Sequence, residues 1–95
     1  MVYVLGKVSI EELPTFVSVF ATRGAAKRGE HGCRGSQVFR AADDENTVYV
    51  LLQWDSREAF DAFRADPSVP ETMKSGGMIG PPEFTFLEKV AEFPT

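Results

Sequence analysis

The run Thr47-Val48-Tyr49-Val50-Leu51-Leu52-Gln53-Trp54 constrains this chain more than any other stretch. It is too short for a buried helix and is rich in β-branched and aromatic residues, so it reads as a strand. Alternation puts Val48, Val50, Leu52 and Trp54 on one face and Tyr49 and Leu51 on the other. Both faces therefore ask for burial. A chain of 95 residues with two modest helices covers only one face of a sheet. The other face needs a partner, and the simplest partner is a second copy.

The length suits one domain, spanning residues 1–95, whose thin core again favours a dimer. Hydrophobic residues make up 43% and charged residues 25%, as in ordinary soluble proteins. No apolar run approaches the ~20 residues that cross a bilayer, so no membrane partner is expected. Met1-Val2-Tyr3-Val4-Leu5 lacks the basic region and cleavage site of a signal peptide and reads as an edge-to-edge first strand. A net charge of -4 argues against nucleic acid. Arg23, Lys27, Arg28 and Arg34 form a local basic cluster, read here as a solvated helix end. The single cysteine, Cys33, excludes an internal disulfide and a cysteine-based zinc site, and points to the reducing cytoplasm. The single histidine, His31, excludes a multi-histidine metal site. No metal and no cofactor are expected.

Alternation predicts a first strand over Val2–Val8. A helix follows from Glu12 or Leu13 to Arg28, with Pro14 in its first turn. Leu13, Phe16, Val17 and Phe20 give it an apolar face, and Gly24 on that face allows close approach to the sheet. The second strand covers Gly35–Ala41, and the polar turn Ala42–Asn46 makes it a hairpin with the third. The second helix begins at Asp55 or Ser56, Asp55 and Glu58 have capping-box spacing, and its buried stripe is Ala59, Phe60 and Phe63. Asp66-Pro67 ends that helix, and a short helical piece covers Val69–Lys74. Met78–Pro82 reads as an apolar loop, and Glu83–Val90 as the fourth strand. The order β-α-β-β-α-β is the ferredoxin-like α+β arrangement: a four-stranded antiparallel sheet with both helices on one face.

That order, together with Val50-Leu51-Leu52-Gln53-Trp54-Asp55-Ser56-Arg57-Glu58-Ala59-Phe60, resembles the dimeric α+β barrel superfamily. Within it the chain is most similar to the antibiotic-biosynthesis-monooxygenase-like group. His31-Gly32-Cys33-Arg34-Gly35, Phe39–Asp44 and Ile79–Phe84 are similar to its small uncharacterised members. The resemblance implies a homodimer joined sheet to sheet, with a cleft in each subunit between helices and sheet. It also implies cofactor-free oxygenation of small aromatic compounds in some relatives and haem degradation in others. Haem-degrading relatives carry an asparagine on strand one, a tryptophan in helix two and a histidine just after it. Here strand one has no asparagine, and Phe63 and Met73 stand at the other two places.

Two functions follow as expectations. The first is a cofactor-independent monooxygenase-like protein acting on a small aromatic or quinone-type compound. Its cleft would be lined by Phe16, Phe20, Phe60, Phe63, Met73 and Met78. His31 would be the base, Arg40 (or Arg34) the anion stabiliser, and Trp54 a positioning ring. The second is a non-catalytic homodimer that binds a small apolar ligand or serves a structural or stress-related role. Each residue also has a plainer reading. His31 bonds free carbonyls at a helix end, Cys33 is a small core residue, Trp54 packs the core or the dimer, and Arg40 pairs with a carboxylate across the dimer. Met73, Gly76, Gly77, Met78 and Ile79 read either as a lid hinged at the glycines or as an ordinary connection.

Overall fold

The elements run β1 (Val2–Ile10), α1 (Leu13–Val19), a π segment (Phe20–Gly24), α2 (Ala25–Glu30), β2 (Cys33–Arg40), β3 (Thr47–Trp54), α3 (Arg57–Ala65), α4 (Ser68–Ser75) and β4 (Met78–Leu87) in the computed structural model, which describes residues 1–95. The strands form one antiparallel sheet in the order β2-β3-β1-β4, the ferredoxin-like arrangement. β1 is central, paired on both sides, to β3 and β4.

The pleat sorts the sheet into two faces. Val4, Val8, Ile10, Val48, Val50, Leu52 and Trp54 point to one side and are buried together with Phe16, Phe60, Phe63 and Val69 of the helices. Gly6 belongs to this face. A Cβ there would stand 2.9 Å from Val50 and 3.0 Å from the Phe84 ring, so the missing side chain lets that ring lie across β1. On the opposite face Tyr3, Leu5, Tyr49 and Leu51 are half-buried, while Phe39 and Leu87 are exposed.

Several boundaries differ from the sequence reading, each for a physical reason. Met78–Pro82 is not a loop: it opens β4, with Met78 opposite Ile10 and Ile79 opposite Ser9. Pro81 and Pro82 are tolerated because β4 is an edge strand, and a register shift between Lys7 and Ser9 takes up the irregular residues. The lid reading falls with the loop, because the Gly77 carbonyl accepts the Glu11 amide at 2.9 Å. β4 stops at Leu87, short of Val90, which is exposed. Of the two starts that the sequence offers for α3, Ser56 is the cap, accepting the Ala59 amide at 3.1 Å, while Asp55 turns to Arg34. Val17 faces solvent, because the helix rotates to bury Phe16.

The first helix is continuous from residue 13 to residue 30 but loosens into π geometry at its centre. Such a segment widens the backbone ladder and re-aims the side chains around it. Here it changes where the basic residues of the helix go.

Candidate functional site

Between the first helix, α4 and the sheet lies an apolar cleft of about 60 Å³ that opens to solvent on one side. Phe16 and Phe20 stack along one wall with ring centroids 5.5 Å apart. Phe63, Met73 and Met78 complete the lining foreseen from the sequence. Phe60 does not line the cleft. It is fully buried behind it, in edge contact with Phe84 at 5.1 Å and Phe86 at 5.5 Å.

One residue of the lining contradicts the sequence reading. Arg28 is not on a solvated helix end but is buried, with 9% of its surface exposed. Its guanidinium lies over the Phe20 ring, 3.6 Å from the centroid, and Nη2 donates to the Phe20 carbonyl at 3.0 Å. Gly24 makes the room: a Cβ there would sit 3.0 Å from Nη1 and 3.1 Å from the Val19 carbonyl oxygen. The glycine thus serves Arg28 rather than close approach to the sheet. Burial pushes the Arg28 pKa down, with the nearby Cys33 thiol acting the other way. Guanidinium is basic enough to stay charged regardless. The signal in the sequence was the phase of the helix: Arg28 follows Phe20 by eight residues and Gly24 by four, on the same side once the π segment is inserted.

The expected trio of His31, Arg40 and Trp54 is not assembled. His31 does not line the cleft; its ring meets Phe63 of the lining edge to ring at 6.0 Å, and its amide donates to the Arg28 carbonyl at 3.2 Å. Its Nε2 is 3.0 Å from Asp66 Oδ2. The other Asp66 oxygen accepts the Ser68 amide at 2.9 Å and the Ser68 hydroxyl at 2.7 Å, which ties down the start of α4. These bonds, His31 first, hold the Asp66 carboxyl well below the usual carboxylate range. Lys27 Nζ joins the group, 3.2 Å from Glu30 and 3.8 Å from Asp66. Glu30, His31 and Asp66 bring ligand atoms within 4.8 Å of one another, but Lys27 balances the carboxylates and Asp66 is engaged by Ser68. The group is an electrostatic clasp between the end of α2 and the start of α4.

Arg40 is exposed at the far end of β2, opposite Val48, and its side chain makes no hydrogen bond within the chain. The strand separates it from the Cys33 end, beside His31, by roughly 23 Å at about 3.3 Å per residue. The two cannot act on one small molecule within a subunit. Arg34 pairs with Asp55 on the surface. Cys33 Sγ turns to the Gly35 carbonyl at 3.5 Å and to Ser36 Oγ at 3.6 Å, so no Cys-His pair forms. Trp54 is fully buried between Phe60 (5.4 Å) and Phe63 (4.9 Å) and braces the wall from behind. Its Nε1 has no partner.

Comparison with known proteins gives a consistent setting. Residues 1–75 match the family described as antibiotic biosynthesis monooxygenase. Among solved structures, the chain is similar to SnoaB, a cofactor-independent oxygenase from Streptomyces nogalater. The identity is 21%, with 99% of this chain and 97% of that one covered and a TM-score of 0.76. It is also similar to a monooxygenase from the gene ActVA-Orf6 of Streptomyces coelicolor, solved in complex with Nanaomycin D. There the identity is 20%, the coverage 99% and 92%, and the TM-score 0.69. A third likeness is to Rv0793 from Mycobacterium tuberculosis, at 21% identity, 96% coverage of both chains and a TM-score of 0.65. At these identities the likeness speaks for the fold. No curated protein matches the sequence.

Proposed function

We propose that this chain, which belongs to the antibiotic biosynthesis monooxygenase family, is an oxygenase for a small aromatic or quinone-type compound held in the helix-sheet cleft. The observation that carries the reading is the cleft itself: apolar, walled by Phe16, Phe20 and Phe63, and open on one side. Such walls hold a flat ring and exclude water from a reactive carbanion. The reaction class is one in which the substrate's own anion reduces oxygen. A carbon–oxygen bond forms, and the hydroperoxide then loses water to leave a carbonyl. For a methylene between two rings, the methylene and one molecule of dioxygen give one ketone and one molecule of water. Met73 and Met78 adapt the pocket to the ring system, and Trp54 and Phe60 keep its back wall rigid. Both SnoaB and the ActVA-Orf6 protein are oxygenases by description, which supports the same reading here.

The working form in this proposal is a homodimer joined through the open sheet face, where Leu5, Tyr49, Leu51, Phe39 and Leu87 await cover. Sedimentation at micromolar concentration is expected to give twice the 10.5 kDa chain mass; a stable monomer contradicts it. We place the protein in the reducing cytoplasm, on the strength of its free Cys33. No helix is long and apolar enough to cross a membrane.

The test of the enzymatic reading is oxygen uptake with anthrones and aromatic quinols. The expected result is uptake well above the protein-free autoxidation rate, lost when Phe63→Trp fills the cleft. Uptake equal to autoxidation across both substrate classes would refute it. The narrowness of the cavity, about 60 Å³, favours a second reading as a binding protein. That reading predicts saturable binding of the same compounds with no oxygen consumed.

A further inference from the structure

We propose that the cleft is selective for aromatic monoanions and that Arg28 is the residue that selects them. This inference rests on the cleft being the ligand site. Arg28 is more than nine-tenths buried, lines the cleft, and forms no ion pair with any carboxylate. Lys27 lines the cleft as well, but its charge is already matched by Glu30 and Asp66. A guanidinium carries five N–H donors; one goes to the Phe20 carbonyl and the Cys33 thiol lies beside the group, which leaves donors for a ligand. A buried charge without a counter-charge is costly, and an anion supplied by the ligand offsets that cost.

The site is also built, not incidental. The π segment lets the Phe20 carbonyl and ring both meet the guanidinium, and Gly24 leaves the space that the guanidinium fills. Apart from Lys27 and Thr72, the rest of the lining is apolar, with Phe16, Val50, Leu52, Phe63, Val69 and Met73 among it. A planar hydrocarbon body with one acidic oxygen matches this division, the body lying along the phenylalanines and the oxygen meeting Arg28. For a phenol or enol substrate, the same contact favours the ionised form over the neutral one.

The experiment is calorimetric titration of the full chain with 2-naphthoate and with its neutral isostere 2-naphthamide. Naphthoate is expected to bind more tightly by about tenfold or more, the preference of a charge-assisted pair out of water. Because the pair is buried, the preference is expected to survive about 0.5 M sodium chloride, which suppresses surface ion pairing. Arg28→Gln is expected to bring the two affinities together, and Arg28→Lys to keep part of the gap. Equal affinities in the wild-type chain would overturn the proposal without any variant being needed. So would a preference lost in salt, or one unchanged in a folded Arg28→Gln protein. No turnover is involved. Anion preference without oxygen uptake therefore removes the oxygenase reading and keeps the site, and uptake without anion preference does the reverse.

Discussion

The two halves of this small molecule solve the same packing problem in opposite ways. Where β3 meets α3, Trp54, Phe60 and Phe63 fill the space between sheet and helix, and Trp54 and Phe60 are fully buried. Where the first helix faces the sheet, Phe16 and Phe20 stack along a gap, and the Arg28 side chain lies on the inside. The α3 half is regular: a serine cap, an apolar stripe and a stop at Asp66. The first helix is interrupted by a π segment at the point where Arg28 reaches back to Phe20. One half maximises apolar burial, and the other gives up some burial for a cavity and a cation. Stability is thus expected to reside in the first half and ligand recognition in the second.

The sharpest way to break this comparison is Phe60→Ala. Phe60 touches Trp54, Phe63, Phe84 and Phe86, so truncation removes the centre of the packed half. A loss of about 3–5 kcal/mol is expected in urea unfolding. A loss under about 1 kcal/mol would mean that the stable core lies elsewhere. Arg28→Met tests the other half. It removes a buried charge, its one hydrogen bond and its ring contact, and leaves an apolar stem of similar reach. The expected stability change is small, between neutral and a gain of about 1 kcal/mol, as replacements of buried charges often give. A loss of several kcal/mol would make Arg28 a structural residue.

The same division explains what was legible in the sequence. Strand β3 was plain because alternation and β-branching agree over its whole length, and Phe60 and Phe63 were plain because their spacing fits an uninterrupted helix. Phe16, Phe20, Phe63, Met73 and Met78 lie on the cleft lining, and Phe60 lies just behind it. Arg28 was missed because a basic residue in the last turn of a helix fits the macrodipole, and nothing in composition marks a π segment. His31, Arg40 and Trp54 were grouped by chemical aptitude alone. Their separation depends on the register of β2 against β3 and on Phe63 standing between His31 and the cleft, and a single sequence states neither. Met78–Pro82 was misread because prolines argue against a strand unless that strand is known to be an edge.

Two glycines of the first helix sharpen the comparison further. Gly24→Ala and Gly29→Ala carry the same gain in helix propensity, about 0.5–1 kcal/mol. A Cβ on Gly29 meets nothing within 4 Å, so that variant is expected to be stabilised by about this amount. A Cβ on Gly24 presses on Arg28 and on the Val19 carbonyl, so there the gain is expected to be cancelled or reversed. Equal stabilisation of both, by thermal or urea unfolding, would mean that Arg28 moves away freely and that the packed guanidinium is not a built feature of the cleft.

The smallest effect at neutral pH belongs to the clasp that joins the two halves. Asp66 accepts from His31 on one oxygen and from Ser68 on the other, with Lys27 and Glu30 beside it. Its carboxyl is held below its unfolded value by these bonds, His31 foremost. The sign follows from that depression: the stabilisation is complete above the unfolded pKa, about 4, and is lost as pH falls below it toward the folded value. Asp66→Asn removes the ionisable group and keeps an acceptor for Ser68. Its unfolding midpoint is therefore expected to fall less steeply with acid than that of the parent chain, while near pH 7 the variant is the less stable of the two. Parallel acid profiles would show that Asp66 does not anchor α4 through its charge. The wall carrying Val69, Thr72 and Met73 would then owe its position to packing alone, as the α3 half does.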